Sequence, residues 1–204
     1  MSKKTVASIF PMSALRQKVG ESILKAVLEI PISNETCVEA AQARAQALGR
    51  AAARQASLIA GSLALPPGVL GWLTLVPELV GVWRVQAQMV SDIAAVYGKS
   101  AHLGRDQMIY CLFKHVSAQL FRDLVVRVGE RVVMRVASLG LIKTLAKTLG
   151  VKITQKVIGT GITRLVPVIG AIGVGTYAYL DTLQVAKTAM ELFSSEITLK
   201  TQDL

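Results

Sequence analysis

Apolar residues along the chain recur mostly at intervals of three and four. Leu15, Val19, Ile23 and Val27 stand four apart, with Leu24 and Leu28 beside them, a pattern that predicts an amphipathic helix stopped by Pro31. Thr36 and Glu39 have the spacing of a capping box, so a second helix is expected to begin there and run to about residue 60. Alanine at positions 40, 41, 43, 45, 47, 51, 52 and 53 leaves that helix little side-chain bulk, which lets neighbouring backbones come close. Pro77 opens a third helix with Glu78 at its positive end. It runs to Tyr97, and Gly98 caps it. A fourth is expected from Arg105 past Arg135 towards Gly140, with Leu120, Leu124, Val128 and Val132 along one side and Arg127, Arg131 and Arg135 along another. A last helix follows the apolar run 165–180 and ends near Phe193. Strand signals are scarce, so the expected fold is all-α, a helical bundle.

Two stretches break this regularity. No charged residue occurs from Gln55 through Pro77, a run of 23 residues that is long enough for a membrane span but is interrupted by Pro66, Pro67 and Gly68. The run Leu165 to Leu180 holds 16 uncharged residues, opens with Pro167 and is studded by Gly170, Gly173 and Gly175. Both read as Gly/Pro-broken, hairpin-like apolar segments. The whole chain, 1–204, is expected to form a single helical domain, with 1–11 and 195–204 as flexible tails.

Composition sharpens the picture. The chain is 52% hydrophobic and 18% charged, with a mean hydropathy of +0.48. Soluble domains carry nearer a quarter charged residues, so apolar surface is left for a partner, a second copy or lipid. Net charge is +10, concentrated in residues 105–164, where eleven Lys or Arg face Asp106, Asp123 and Glu130. Anionic phospholipid is the expected partner of this block, with Arg127, Arg131, Arg135, Lys143 and Lys147 as contacts. Nucleic acid is not expected: aromatics are 5% of the chain and no helix-turn-helix or RNA-binding motif accompanies the charge. Two cysteines, Cys37 and Cys111, form no disulfide framework and fit a reducing compartment. Lys3 and Lys4 precede an apolar stretch too short, and too soon broken by Pro11, for a signal peptide.

Catalytic signals are few. Residues 173–178 match G-x-G-x-x-A, but no βαβ unit surrounds them, so close helix packing is the better account. There is no phosphate-binding P-loop and no nucleophile elbow. Cys111 and His115 share a helical face at metal-ligand spacing without the further ligands a site requires. Glu78, Asp92 and Asp181 interrupt apolar stretches. In water they read as a cap, a partner for Gln88 or Arg84, and a return to solvent, whereas in lipid they would be functional. No catalytic, cofactor-binding or metal-ligating residue is assigned.

The segment Leu73 to Ser100, "LTLVPELVGVWRVQAQMVSDIAAVYGKS", resembles the central signature of the bacterial EcsC protein family, at Pro77, Glu78, Gln86, Asp92, Ile93, Ala94, Tyr97 and Gly98. A second piece, "RLVPVIGAIGVGTYAYLDTLQVAKTA", resembles the family's closing segment, at Pro167, Gly170, Asp181 and Thr182. A more distant similarity connects both to the GTPase-associated helical domain of YcjF-type membrane proteins. The resemblance implies a helical, membrane-associated bacterial protein and supplies no active site. The expected function is therefore that of a non-enzymatic accessory protein on the cytoplasmic face of the inner membrane, peripheral or partly inserted, with a transporter, a secretion component or a GTPase as protein partner. The alternative is a helical binding module for a lipid or other apolar ligand. An enzyme using Asp92 or Asp181 with His115 ranks behind both.

Overall fold

The computed structural model describes residues 12–63, 75–122, 125–128, 131–135, 137–159 and 167–200. Helix α1, Met12–Leu28, buries the stripe read from the sequence: Val19, Ile23 and Val27 are fully inside and Leu15 nearly so. Residues 31–38 are not helical, and the capping box at Thr36 is not used. Tertiary hydrogen bonds hold this stretch straight against the third helix instead. Ser91 donates to the Pro31 carbonyl (2.7 Å), Gln88 to the Ile32 carbonyl (3.1 Å), and the Val38 N–H to the Val96 carbonyl (3.3 Å).

Helix α2, Ala41–Leu63, starts five residues beyond that box and presents Ala45, Ala52, Ala53, Ala56 and Ala60 to the core. Helix α3, Leu75–Val96, has Pro77 and Glu78 in its first turn. It ends where Gly98 turns left-handed at φ +67°, with the Lys99 N–H bonded to the Ala94 carbonyl at 2.7 Å. The Pro66–Gly68 break lies outside the described residues. The two arms of that apolar segment pack antiparallel, since Gly81 meets Ile59 while Asp92 shares a groove with Leu48.

Helix α4, Arg105–Phe113, is short, and the expected long helix to residue 135 does not form. After a 3-10 turn at Ala118–Phe121, strands β1, Val125–Val128, and β2, Arg131–Arg135, pair antiparallel with Val128 opposite Arg131. The four-residue apolar spacing was coincidental here. A run rich in β-branched valine, divided by Gly129 and Glu130, satisfies a hairpin equally well and buries Met134. Strand β3, Glu196–Lys200, adds in parallel to β2, so part of the expected C-terminal tail is a strand.

Helix α5, Leu139–Gly159, packs antiparallel to α1: a Cβ on Gly150 would lie 2.9 Å from Gly20 N and 3.0 Å from the Arg16 carbonyl oxygen. Helix α6, Pro167–Phe193, passes unbroken through Gly170, Gly173 and Gly175, so the second apolar segment is the first half of a long helix. It packs antiparallel to α2. A Cβ on Gly49 would press on Ala186, and one on Gly175 would lie 3.1 Å from the Ser57 carbonyl oxygen and 3.8 Å from Gly61 Cα. This is the close approach that the alanine-rich sequence predicts.

The result is a helical bundle, as the periodicity implies, with a small three-stranded sheet, β1-β2-β3. Helices α2, α3 and α6 form a trio. Helices α1 and α5 form a pair joined to it through α3 and α4. The edge-on contact of Trp83 with Phe113, at 5.5 Å between centroids, joins α3 to α4 in the core. Chain direction defines two ends. The upper end collects the start of α3, the end of α2 and the start of α6. The Ala137 N–H donates to Asp106 near the foot of α3, so α5 climbs from the lower end to the upper and α1 descends beside it. The sheet belongs to the lower end, because β3 continues α6 and β2 precedes α5.

Candidate functional site

Four of the residues singled out above meet in the middle of the bundle. Gln86 on α3 is fully buried, and its Nε2 donates to Asp181 Oδ2 at 2.9 Å and to Thr182 Oγ1 at 3.1 Å, both on α6. Asp181 Oδ1 lies 2.7 Å from Nε2 of His115, in the turn after α4. A carboxylate only accepts, so His115 donates from Nε2. Both side chains of this pair are mostly shielded from solvent. Gln86 Oε1 and His115 Nδ1 are buried with no hydrogen-bond partner among the described residues. Each such atom costs about 1–3 kcal/mol.

Two residues on, Ser117 Oγ accepts from Lys152 of α5 at 2.7 Å. The 114–117 turn is therefore a strap, held to α6 by His115 and to α5 by Ser117. The Lys114–Glu191 ion pair at 3.4 Å adds a second tie to α6. Sequence spacing could not reveal these contacts, which span 35 to 96 residues. The only hint was that Gln86, Asp181 and Thr182 all lie in the two segments of family resemblance. Chemically the cluster is half of a catalytic relay. No hydroxyl or thiol is hydrogen-bonded to His115 Nδ1 among the described residues.

Asp92 is a second polar anchor. Its Oδ1 accepts from Gln88 (2.9 Å) and from Ser33 (2.7 Å), which ties the 31–38 segment to α3, while Arg84 takes no part. Asp92, Gln88 and Arg84 also line a groove of about 380 Å³ between α2 and α3, with Gln55 opposite and Ala51, Ala52, Leu48, Val85 and Met89 along it. Charged and amide groups on both walls make it an amphipathic groove rather than a closed apolar chamber. Glu78 is buried in the first turn of α3, and Pro77 beside it is exposed. Tyr97 is half-buried, and burial raises its pKa.

Cys111 and His115 do not converge. The thiol is fully buried and its pKa is pushed up by burial, while the imidazole turns to Asp181. No group of three His, Cys, Asp or Glu is placed to hold a metal ion among the described residues. Residues 173–178 are helical throughout, without the strand that a dinucleotide fingerprint needs.

The basic residues are divided. Lys143 and Lys147 are exposed on α5. Positions 127, 131 and 135 lie on the hairpin instead of along a helix. The register pairs 127 with 132 and 128 with 131, so strand alternation puts 127 on one face of the sheet and 131 and 135 on the other. They do not form one stripe.

Exposed apolar residues lie at both ends: Leu28, Ile32, Val38, Leu139 and Leu141 belong to the lower end, among charged neighbours. Towards the upper end, Leu58 on α2 is 74% exposed and Ile172 and Tyr177 on α6 are 66% and 50% exposed, while Leu180 lies about 12 Å further down α6, beside Asp181 at mid-bundle. No charged residue occurs on α2 after Arg54 or on α6 before Asp181. No helix among the described residues is long and apolar enough to cross a membrane. No family model, curated protein or solved structure matches the chain.

Proposed function

We propose that the protein is a non-enzymatic accessory protein of the EcsC kind, which docks on a membrane through the upper end of its bundle. One observation carries the reading: Leu58 and Ile172 stand in solvent at the end where three helices carry no exposed charge. Complete transfer of such a side chain from water to an apolar phase is worth about 1.5–3 kcal/mol. The two of them inserted at the acyl boundary, with half-exposed Tyr177 beside them, give reversible attachment without a span. The position of the His115–Asp181 pair as the clasp between α3, α6 and the strap supports a structural role for it.

The test is fractionation of expressing bacteria, followed by washes of the membranes with high salt and then carbonate. The reading expects the protein in the membrane fraction and in the carbonate supernatant, and it expects the double variant Leu58→Ser, Ile172→Ser in the soluble fraction with its helicity intact. Wild type that stays wholly soluble refutes the membrane reading.

A further inference from the structure

Five exposed basic residues from four helices lie just below the apolar end. Arg54 is one turn before Leu58 on α2. Arg84 is one turn below the level where Gly81 meets Ile59 on α3. Arg16 and Lys18 are in the first two turns of descending α1. Lys147 is on ascending α5, where its Cα would lie 3.5 Å from a Cβ on Gly20. One helical turn is about 5.4 Å, so these positions fall within roughly two turns of one another along the bundle axis. None of the five makes an ion pair or a side-chain hydrogen bond among the described residues. The acids near this level are engaged or set apart. Glu78 is buried, Asp181 is held by Gln86 and His115, and exposed Glu21 accepts from Gln17 at 2.8 Å.

We infer that Arg16, Lys18, Arg54, Arg84 and Lys147 form a collar that binds anionic phospholipid headgroups while the apolar end enters the acyl boundary, so that the bundle stands end-on to the membrane. This rests on the membrane reading above and deepens it by fixing which charges take part. Charge and apolar surface are complementary to the two layers of an anionic leaflet in the right order, apolar outermost and basic behind it. The β1–β2 hairpin, with Arg127, Arg131 and Arg135, is at the lower end. From Arg84 to the foot of α3 at Val96 is twelve residues, about 18 Å or two Debye lengths at physiological salt, so an end-on molecule holds the hairpin where the headgroup field is largely screened.

Full-length protein is sedimented with vesicles of phosphatidylcholine alone and of equal parts phosphatidylcholine and phosphatidylglycerol, at low and high salt. Wild type is expected to prefer the anionic vesicles and to lose that preference in high salt. Replacing the collar residues by Gln is expected to weaken binding to anionic vesicles about fivefold per charge and to leave binding to neutral vesicles unchanged. The variant Arg127→Gln, Arg131→Gln, Arg135→Gln is expected to bind as wild type does. Because the collar side chains are exposed, circular dichroism should report an intact fold in that variant. If the hairpin variant loses the anionic preference and the collar variant keeps it, the collar is wrong while membrane docking stands. Wild type that binds both vesicles equally also overturns the collar alone. Wild type that binds neither refutes the docking itself.

Discussion

Substituting Gly150 by Ala separates tertiary contact from helix propensity. Gly150 lies inside α5, and an added Cβ would meet backbone on α1: Gly20 N at 2.9 Å, Gly20 Cα at 3.0 Å and the Arg16 carbonyl oxygen at 3.0 Å. Backbone atoms of a packed helix cannot rotate away, so the two helices must part by several tenths of an ångström. Overpacking of this kind costs about 1–3 kcal/mol. Ala in place of Gly in a helix interior returns about 0.5–1 kcal/mol. The net expectation for Gly150→Ala is destabilisation of about 0.5–2 kcal/mol. Gly173→Ala is the matched control, because a Cβ there meets nothing within 4 Å in the interior of α6, and it is expected to stabilise by about 0.5–1 kcal/mol. Urea denaturation followed by far-ultraviolet circular dichroism measures both. If Gly150→Ala is as stabilising as Gly173→Ala, α1 and α5 do not approach as described, and the climb of α5 to the upper end loses its support.

Three further outcomes are expected. A double-mutant cycle on His115→Ala and Asp181→Asn should give a coupling energy of about 0.5–3 kcal/mol, and additive effects would mean the strap is not clasped to α6. Burial raises the pKa of Asp106, opposed by the Ala137 N–H and then by Arg105. An acid whose native pKa lies above its unfolded value destabilises the fold as pH climbs from the usual carboxylate range, about 3.9, through that raised value. Asp106→Asn should therefore gain stability relative to wild type between acidic and neutral pH, and a constant difference across that range would refute the burial argument. With a thiol-reactive chromogen, exposed Cys37 should react at once and buried Cys111 only on unfolding, so two rapid thiols in the native protein would contradict the core packing of α4.

The parts of the fold that sequence made legible are those set by local periodicity and backbone sterics. The buried stripe of α1, the alanine face of α2 and the Gly98 cap follow from spacing and residue type alone. The hairpin did not, because Leu120, Leu124, Val128 and Val132 satisfy a helical period as well as the valines satisfy a strand, and only the pairing of β2 with β3, some 65 residues away, decides between them. The start of α2 was misjudged for a similar reason, since Gln88, Ser91 and Asp92 hold residues 31–38 from outside the segment. Of the two partners read for Asp92, Gln88 one turn earlier, a local contact, is bonded, and Arg84 is not. The union of Gln86, His115, Asp181 and Thr182 is nonlocal, and so is the collar, whose members are scattered over 132 positions of sequence, from Arg16 to Lys147, and meet only through helix packing.

The trio has an order of assembly written into its topology. Helix α2 is rich in alanine and forms readily as an isolated segment, and α3 follows it closely along the chain, so those two can pair early. The third member, α6, begins more than a hundred residues after α2 ends. During synthesis the small-residue face of α2 therefore waits for its α6 cover until more than a hundred further residues have been made. A nascent chain in that interval displays Ala45, Gly49, Ala53 and their neighbours to whatever is at hand, and α6, the helix that hides them at last, brings Ile172 and Leu180 to the surface as it docks.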